Sequence, residues 1–132
     1  GNVGTILRTA AALGASATLA MPGTVDLWNA KVVRSAMGAH FRHPALATGW
    51  DELDRFLERH SIVLWGTDAG GIPLDGTTPP ARVAVALGNE GSGLSAAARA
   101  RSAIDVALPL ADHVESLNVA VSAGIFLYQL RP

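Results

Sequence analysis

The residues best suited to chemistry lie in three segments, of which the one nearest the C-terminus is the most informative. It runs from Ser116 to Asn118 and opens a long apolar helix. A helix start presents backbone N–H groups without helical partners, which suits an anionic or polar ligand. Only one polar side chain is needed as the helix cap, so a second polar group stands at the same helix mouth. A plain helix start remains the simpler interpretation.

A glycine-rich loop from Gly88 to Gly93 follows an apolar run. Its three glycines let the backbone turn sharply and approach a ligand closely. The spacing matches neither the dinucleotide-binding fingerprint nor a P-loop, because no lysine follows the last glycine. Glu90 can accept a hydrogen bond from an amide or a guanidinium. The alternative interpretation, a strand-to-helix turn, needs no carboxylate at that position.

Arg8 is the only charged residue before Asp26, and it lies among apolar residues of a predicted helix that Asn2 can cap. A guanidinium offers planar, paired donors that suit a phosphate or a ribose. A solvated arginine at a helix edge is the alternative. The four histidines show no metal-ligand spacing and the chain has no cysteine, so we expect no metal site.

Helices and strands alternate along the chain, which favours an α/β fold with a mostly parallel sheet covered by helices on both faces. In such a sheet, ligands bind outside the carboxyl ends of the strands, so we expect the three segments to meet there. A Gly/Pro-rich loop is predicted from Asp68 to Pro80. The predicted helices are 2–13, 30–37, 51–60, 95–101 and 118–130, and the predicted strands are 17–21, 45–48, 62–65, 83–87 and 104–108.

Composition limits the classes of protein to consider. A chain of 132 residues is one ordinary domain. The sequence contains no run of about 18 apolar residues, the length that a membrane span needs, so we expect a cytoplasmic protein. The net charge is −1, but residues 1–50 hold four cations against one carboxylate. A polyanion would therefore dock on this N-terminal third, unless the imbalance is ordinary surface charge. The three tryptophans are expected in the core or an interface rather than as base-stacking platforms.

In order along the chain, these segments resemble the three motifs of the SpoU/TrmH family of RNA ribose 2′-O-methyltransferases, of the SPOUT class. The first motif is carried by Asn2, Gly4 and Arg8 to Ala10. The second spans Ala86 to Leu94, and the third combines Leu108 to Leu110 with Glu115 to Val121. The stretch Lys31 to Pro44 also resembles the family segment between the first two motifs, so the resemblance covers essentially the whole chain.

The resemblance implies an α/β fold whose C-terminal part forms a deep trefoil knot, which general rules of chain topology would not predict. It also implies a homodimer that methylates a ribose 2′-hydroxyl of tRNA or rRNA with S-adenosylmethionine. We further expect a strand and an RNA-binding domain before Gly1. The implied catalytic residues are Arg8, Asn2, Glu90, Ser116 and Asn118. The implied cofactor-binding residues are Thr67, Leu87, Gly88, Asn89, Glu90, Gly91, Leu108, Pro109, Leu110, Ser116 and Leu117.

Methyl transfer to a ribose hydroxyl needs its proton removed or its developing negative charge stabilised. Arginine is a poor base because its guanidinium stays protonated, so we favour Arg8 as an electrostatic clamp on phosphate and 2′-oxygen over a base. Asp112 stands where the family usually has glycine. This departure leaves open a non-catalytic RNA-binding or assembly subunit of the same fold. A dinucleotide-dependent oxidoreductase using the Gly88 loop is a further alternative.

Overall fold

A computed structural model describes residues 1–89 and 91–132, so the prediction for Glu90 lies outside the described residues. The chain divides into two compact units. Unit 1 comprises Gly1–Leu53 and Ala123–Pro132, and unit 2 comprises Asp54–Ser122. Two helices, α3 (Trp50–Arg59) and α5 (Val119–Leu130), contribute residues to both units.

Unit 1 contains α1 (Asn2–Ala12), β1 (Thr18–Ala20), α2 (Ala30–Ala36) and β2 (Ala45–Ala47). A short 3-10 helix, Ala39–Phe41, lies between α2 and β2. The two strands pair in parallel, with Leu19 opposite Leu46. The helices and β1 enclose a small apolar core, whose buried members are Leu7, Ala20, Leu27, Val32, Ala36 and Ala39.

Close contact between α1 and α2 depends on Gly4. A Cβ atom at this position would overlap the Ser35 Oγ and Val32 carbonyl oxygen and would lie 2.9 Å from the Ala36 nitrogen. Only a residue without a side chain allows the two helices to approach so closely. The prediction that Asn2 caps α1 is wrong, since the cap is Gly1, whose carbonyl accepts from the Thr5 amide at 3.1 Å.

Unit 2 contains β3 (Val63–Pro73), β4 (Val83–Val85), α4 (Ala96–Arg101) and β5 (Ile104–Ala107). The strands form a parallel sheet in the order β4-β3-β5. The predicted α/β class with parallel strands is confirmed, while the trefoil knot stays a prediction.

The predicted loop from Asp68 to Pro80 is wrong over its first part, because β3 continues to Pro73 and a 3-10 helix follows at Leu74–Gly76. The strand keeps its pairing by a register shift, in which Val106 of β5 faces both Thr67 and Ile72. The four intervening residues leave the regular ladder, as in an enlarged β-bulge. Glycine and proline in this stretch suggested a loop, but the pairing with β5 outweighs that local preference.

Candidate functional site

The candidate cofactor site of unit 2 lies beside central β3, at the level where its parallel neighbours β4 and β5 end. In β3, Thr67 lies opposite Val106 of β5. On the other side Trp65 lies opposite Val85, the last residue of β4. The chain runs β3, β4, β5 while the spatial order is β4-β3-β5, so the connection after β4 crosses to the far side of β3. Sheet edges at such a change of direction are the usual ligand sites of open α/β folds.

Two hydrogen bonds join the segment after β4 to β3. The Ala86 amide donates to the Trp65 carbonyl at 2.8 Å, and the Thr67 hydroxyl donates to the Ala86 carbonyl at 2.9 Å. These bonds place Thr67 beside the half-buried Leu87 and Gly88. The structure thus brings together three of the residues that the sequence assigned to cofactor binding.

The glycine loop folds back on itself. Asn89 and Gly93 exchange two backbone hydrogen bonds, of 3.1 and 2.8 Å, and the Asn89 side chain accepts from the Gly91 amide at 2.9 Å. A Cβ atom on Gly88 would lie 2.5 Å from the Leu94 nitrogen, so the turn tolerates no side chain there. Gly93 adopts a φ of 69°, in the left-handed region that favours glycine. The glycines therefore shape the turn itself.

The segment after β5 continues the same sheet edge. Leu108, Leu110 and Leu117 are half-buried, while Pro109 and Ser116 are exposed. Half-buried leucines after β5, together with the Thr67 hydroxyl on the neighbouring strand β3, suit an amphipathic ligand with a flat ring and a charged end, as S-adenosylmethionine has. The donor set is therefore compatible with that cofactor.

Asn118 is the cap of α5. Its side-chain oxygen accepts from the amides of Ala120, at 2.8 Å, and Val121, at 3.2 Å. Of the two polar residues at this helix start, Asn118 therefore satisfies the helix, and Ser116 stands exposed two residues earlier. In the preceding turn His113 has a φ of 71°, whereas the φ of Asp112 is not positive. The conformation that favours glycine falls one residue after Asp112.

Asn2 and Arg8 both belong to α1 in unit 1. Asn2 is half-buried and Arg8 is exposed. The helix that carries them is anchored by Leu7, which is fully buried, and by the close approach of Gly4 to α2. The guanidinium of Arg8 therefore projects from a well-packed helix into solvent, where it is accessible to an anion.

The sequence reasoning missed an ion-pair cluster of unit 2. Arg99 of α4 lies 3.3 Å from the Asp68 carboxylate and 3.7 Å from the Asp105 carboxylate. Since Asp68 directly follows Thr67, these pairs fasten the part of β3 that borders the candidate site. A signal was present: Asp105 is a carboxylate within an otherwise apolar strand, where a charge requires a partner.

A second pair joins Arg101 to Asp54 by two hydrogen bonds of 2.7 and 3.1 Å. The hydrogen bond from Arg101 lowers the pKa of the Asp54 carboxyl below its usual value of 3.8.

Across residues 1–89 and 91–132, no group of three or more histidines and carboxylates could hold a metal ion. Within the same residues, no helix has the length and apolarity that crossing a membrane requires.

Comparison with known proteins gives consistent matches. A sequence model of the SpoU rRNA methylase family matches residues 1–128. The chain is 37% identical over 132 residues to the Bacillus subtilis 23S rRNA (guanosine(2553)-2′-O)-methyltransferase RlmP, covering 99% of this chain and 53% of that protein. The chain thus spans about half the length of this curated relative.

Solved structures of methyltransferases also match the chain. The SpoU methyltransferase AviRb from Streptomyces viridochromogenes, in complex with the cofactor AdoMet, superposes with a TM-score of 0.91 at 33% identity, covering 97% of this chain and 51% of that one. An AdoMet-bound rRNA methyltransferase from Sinorhizobium meliloti superposes with a TM-score of 0.87 at 29% identity, covering 97% of this chain and 50% of that one.

Proposed function

We propose that this chain, which belongs to the SpoU rRNA methylase family, transfers a methyl group from S-adenosylmethionine to a ribose 2′-hydroxyl of RNA. The observation that carries the proposal is the edge of the unit 2 sheet, where Thr67 is bonded to the segment that leads into the Gly88 turn and lies opposite Val106, near the end of β5. The names of the similar proteins support ribosomal RNA, and in particular 23S rRNA, as the substrate. Its bacterial relatives support a cytoplasmic location.

We assign cofactor binding to the strand-end residues of unit 2. When bound, S-adenosylmethionine supplies an electrophilic methyl group on a sulfonium. Thr67 and the backbone of Leu87 and Gly88 bind its polar groups, and the side chains of Leu87, Leu108 and Leu117 pack against its apolar surface. Asn89, Gly91, Pro109 and Leu110 complete this wall. In-line transfer depends on placement, so fixing the donor in one orientation supplies much of the acceleration.

We assign Arg8 as the electrostatic clamp on the RNA phosphate and the 2′-oxygen. A guanidinium keeps its charge at neutral pH and offers paired donors, so it stabilises the negative charge that develops on the 2′-oxygen as its proton passes to solvent. The oxygen then bonds to the methyl carbon as the carbon–sulfur bond breaks, and the sulfur leaves as a neutral thioether. We also assign Asn2, Ser116 and Asn118 to orienting the ribose or the cofactor, and Glu90 to accepting a hydrogen bond. The exposure of Arg8 on a rigid helix supports the assignment, because a buried or paired guanidinium could not reach a phosphate.

We further propose that the chain works as a homodimer. Val121, Ile125 and Tyr128 recur at helical spacing on α5, and all three are exposed. Apolar side chains in such a row are typical of a twofold interface. Sedimentation at micromolar concentration should show a dimer, and replacing Ile125 with Asp should give a monomer. A monomeric wild-type chain would contradict this part of the proposal.

The decisive experiment measures transfer of labelled methyl groups into total rRNA and tRNA, followed by mapping of the product. We expect Arg8→Ala to keep its affinity for S-adenosylmethionine, measured by calorimetry, and to lose transfer. Arg59→Ala, which removes an exposed arginine of α3, is the matched control and should transfer normally. Full turnover by Arg8→Ala would refute the clamp. Wild-type protein that gives no heat with S-adenosylmethionine would favour the non-catalytic subunit instead.

A further inference from the structure

We propose that an aromatic platform in unit 1, formed by Trp28, His40 and Phe41, stacks on the bases of single-stranded RNA. The inference rests on the proposed function in that RNA is the substrate. It concerns a surface for which the catalytic and cofactor assignments give no role. The sequence predicted Trp28 in the core or an interface, and the structure rules out the core, because Trp28 is 59% exposed.

The three rings form one contiguous surface. The centroid of the Trp28 ring lies 4.6 Å from that of His40 and 5.9 Å from that of Phe41, the latter in an edge-to-face arrangement. Phe41 is 79% exposed. Two large aromatic side chains facing solvent side by side lose the stabilisation that burial would give them. Every nucleobase has a flat π-face that covers such rings without requiring a particular sequence.

The rings are held in place by the core beneath them. Trp28 follows the buried Leu27, and His40 follows the buried Ala39. The Nε2–H of His40 donates to the Leu27 carbonyl at 2.6 Å, which ties the 3-10 helix to the loop before α2. The Trp28 amide donates to the Asp26 carboxylate at 2.9 Å. The platform is therefore ordered before binding, so a base that stacks on it meets little further entropy cost.

Charge favours a polyanion as the occupant. Lys31, Arg34 and Arg42 are exposed in the same segment of unit 1. None of these three cations pairs with a carboxylate in the part of the chain that the structure describes. Asp26 is the only carboxylate in residues 1–50. Phosphates would neutralise this charge, whereas a second copy of the chain docking the same face would bring a second set of like charges.

The test is a fluorescence-anisotropy titration of the full chain with a labelled single-stranded oligouridylate, repeated with an abasic oligomer of the same length. We expect Trp28→Ala and Phe41→Ala each to weaken binding of the oligouridylate by about tenfold, the loss typical of one stacked base. Trp28→Phe should retain most of the affinity. Leu46→Ala, another exposed apolar residue of unit 1, is the matched control and should bind as the wild type does. With the abasic oligomer, all variants should bind alike.

Unchanged affinity of both ring variants for the oligouridylate would overturn the platform. Equal losses with the abasic oligomer would overturn stacking as its basis. Conversion of the variants from dimer to monomer without a change in RNA affinity would assign the rings to a protein interface instead. The proposed function is tested separately by methyl transfer. A wild-type chain that methylates RNA while ring variants bind normally refutes only the platform, and ring-dependent binding without methyl transfer refutes only the enzyme.

Discussion

Replacing Gly4 with alanine should destabilise the protein, although alanine is the better helix former. Gly4 lies in α1, where the added Cβ would overlap the Ser35 hydroxyl and the Val32 carbonyl of the neighbouring helix. The serine can rotate away, but the carbonyl belongs to the backbone of α2 and can move only with that helix. The substitution therefore pushes α1, which carries Arg8, away from α2.

The magnitude follows from two opposing effects. Overpacking a tight contact typically costs about 1–3 kcal/mol, and backbone overlap places Gly4→Ala near the upper end. Alanine recovers about 1 kcal/mol through its helix propensity. The net loss is then about 2 kcal/mol, which lowers the melting temperature of a domain of this size by roughly 8 °C.

Gly124→Ala is the internal control for this prediction. Gly124 also lies in a helix of unit 1, but a Cβ there would meet only the Thr9 methyl at 3.6 Å, an ordinary contact. This variant should keep the propensity gain of about 1 kcal/mol and melt higher, by roughly 4 °C. Thermal unfolding followed by circular dichroism measures both. Similar shifts of the same sign would refute the steric reasoning, because the two substitutions are chemically identical.

Two further predictions concern the cap of α5 and a buried histidine. Asn118→Ala should cost about 1 kcal/mol of stability, since two amides lose their acceptor, whereas Ser116→Ala should leave the free energy of unfolding unchanged and impair methyl transfer. Urea melts and transfer assays separate the two roles, and equal stability losses would contradict them. Burial lowers the pKa of His43 from its usual 6.5. The folded protein thus binds fewer protons than the unfolded chain just below that pH, and its stability should fall as the pH drops through this range. His43→Gln should flatten that part of a stability–pH profile, and an unchanged slope would place its origin elsewhere.

The sequence predicted those features that arise from local patterns. Apolar runs gave the strands, and the predicted helices 30–37 and 95–101 match α2 and α4, whose side-chain caps are Asn29 and Ser95. The family of the chain could also be predicted, because its motifs are ordered sets of residue types. The parallel pairing followed from the alternation of strands and helices.

What sequence patterns could not give are features set by contacts between distant segments. The extension of β3 through Gly70 and Gly71 depends on pairing with β5, some thirty residues further on. The pairing of Arg99 with Asp68 and Asp105 likewise depends on how α4 lies against the sheet. The choice of Asn118 over Ser116 as the cap was left open, because one turn of backbone decides which side chain meets the amides. The assigned roles of the site residues stay predictions.

Because Val106 of β5 pairs with both Thr67 and Ile72, the stretch of β3 between these two residues can change in length. Thr67 is aligned with β5 before the detour and Ile72 after it, so each alignment is fixed by its own ladder contacts. A residue inserted between Ala69 and Gly70 would enlarge the detour and leave both flanking alignments in place. This rim of the sheet can thus change in size, and with it the shape presented to a substrate, without displacing Thr67.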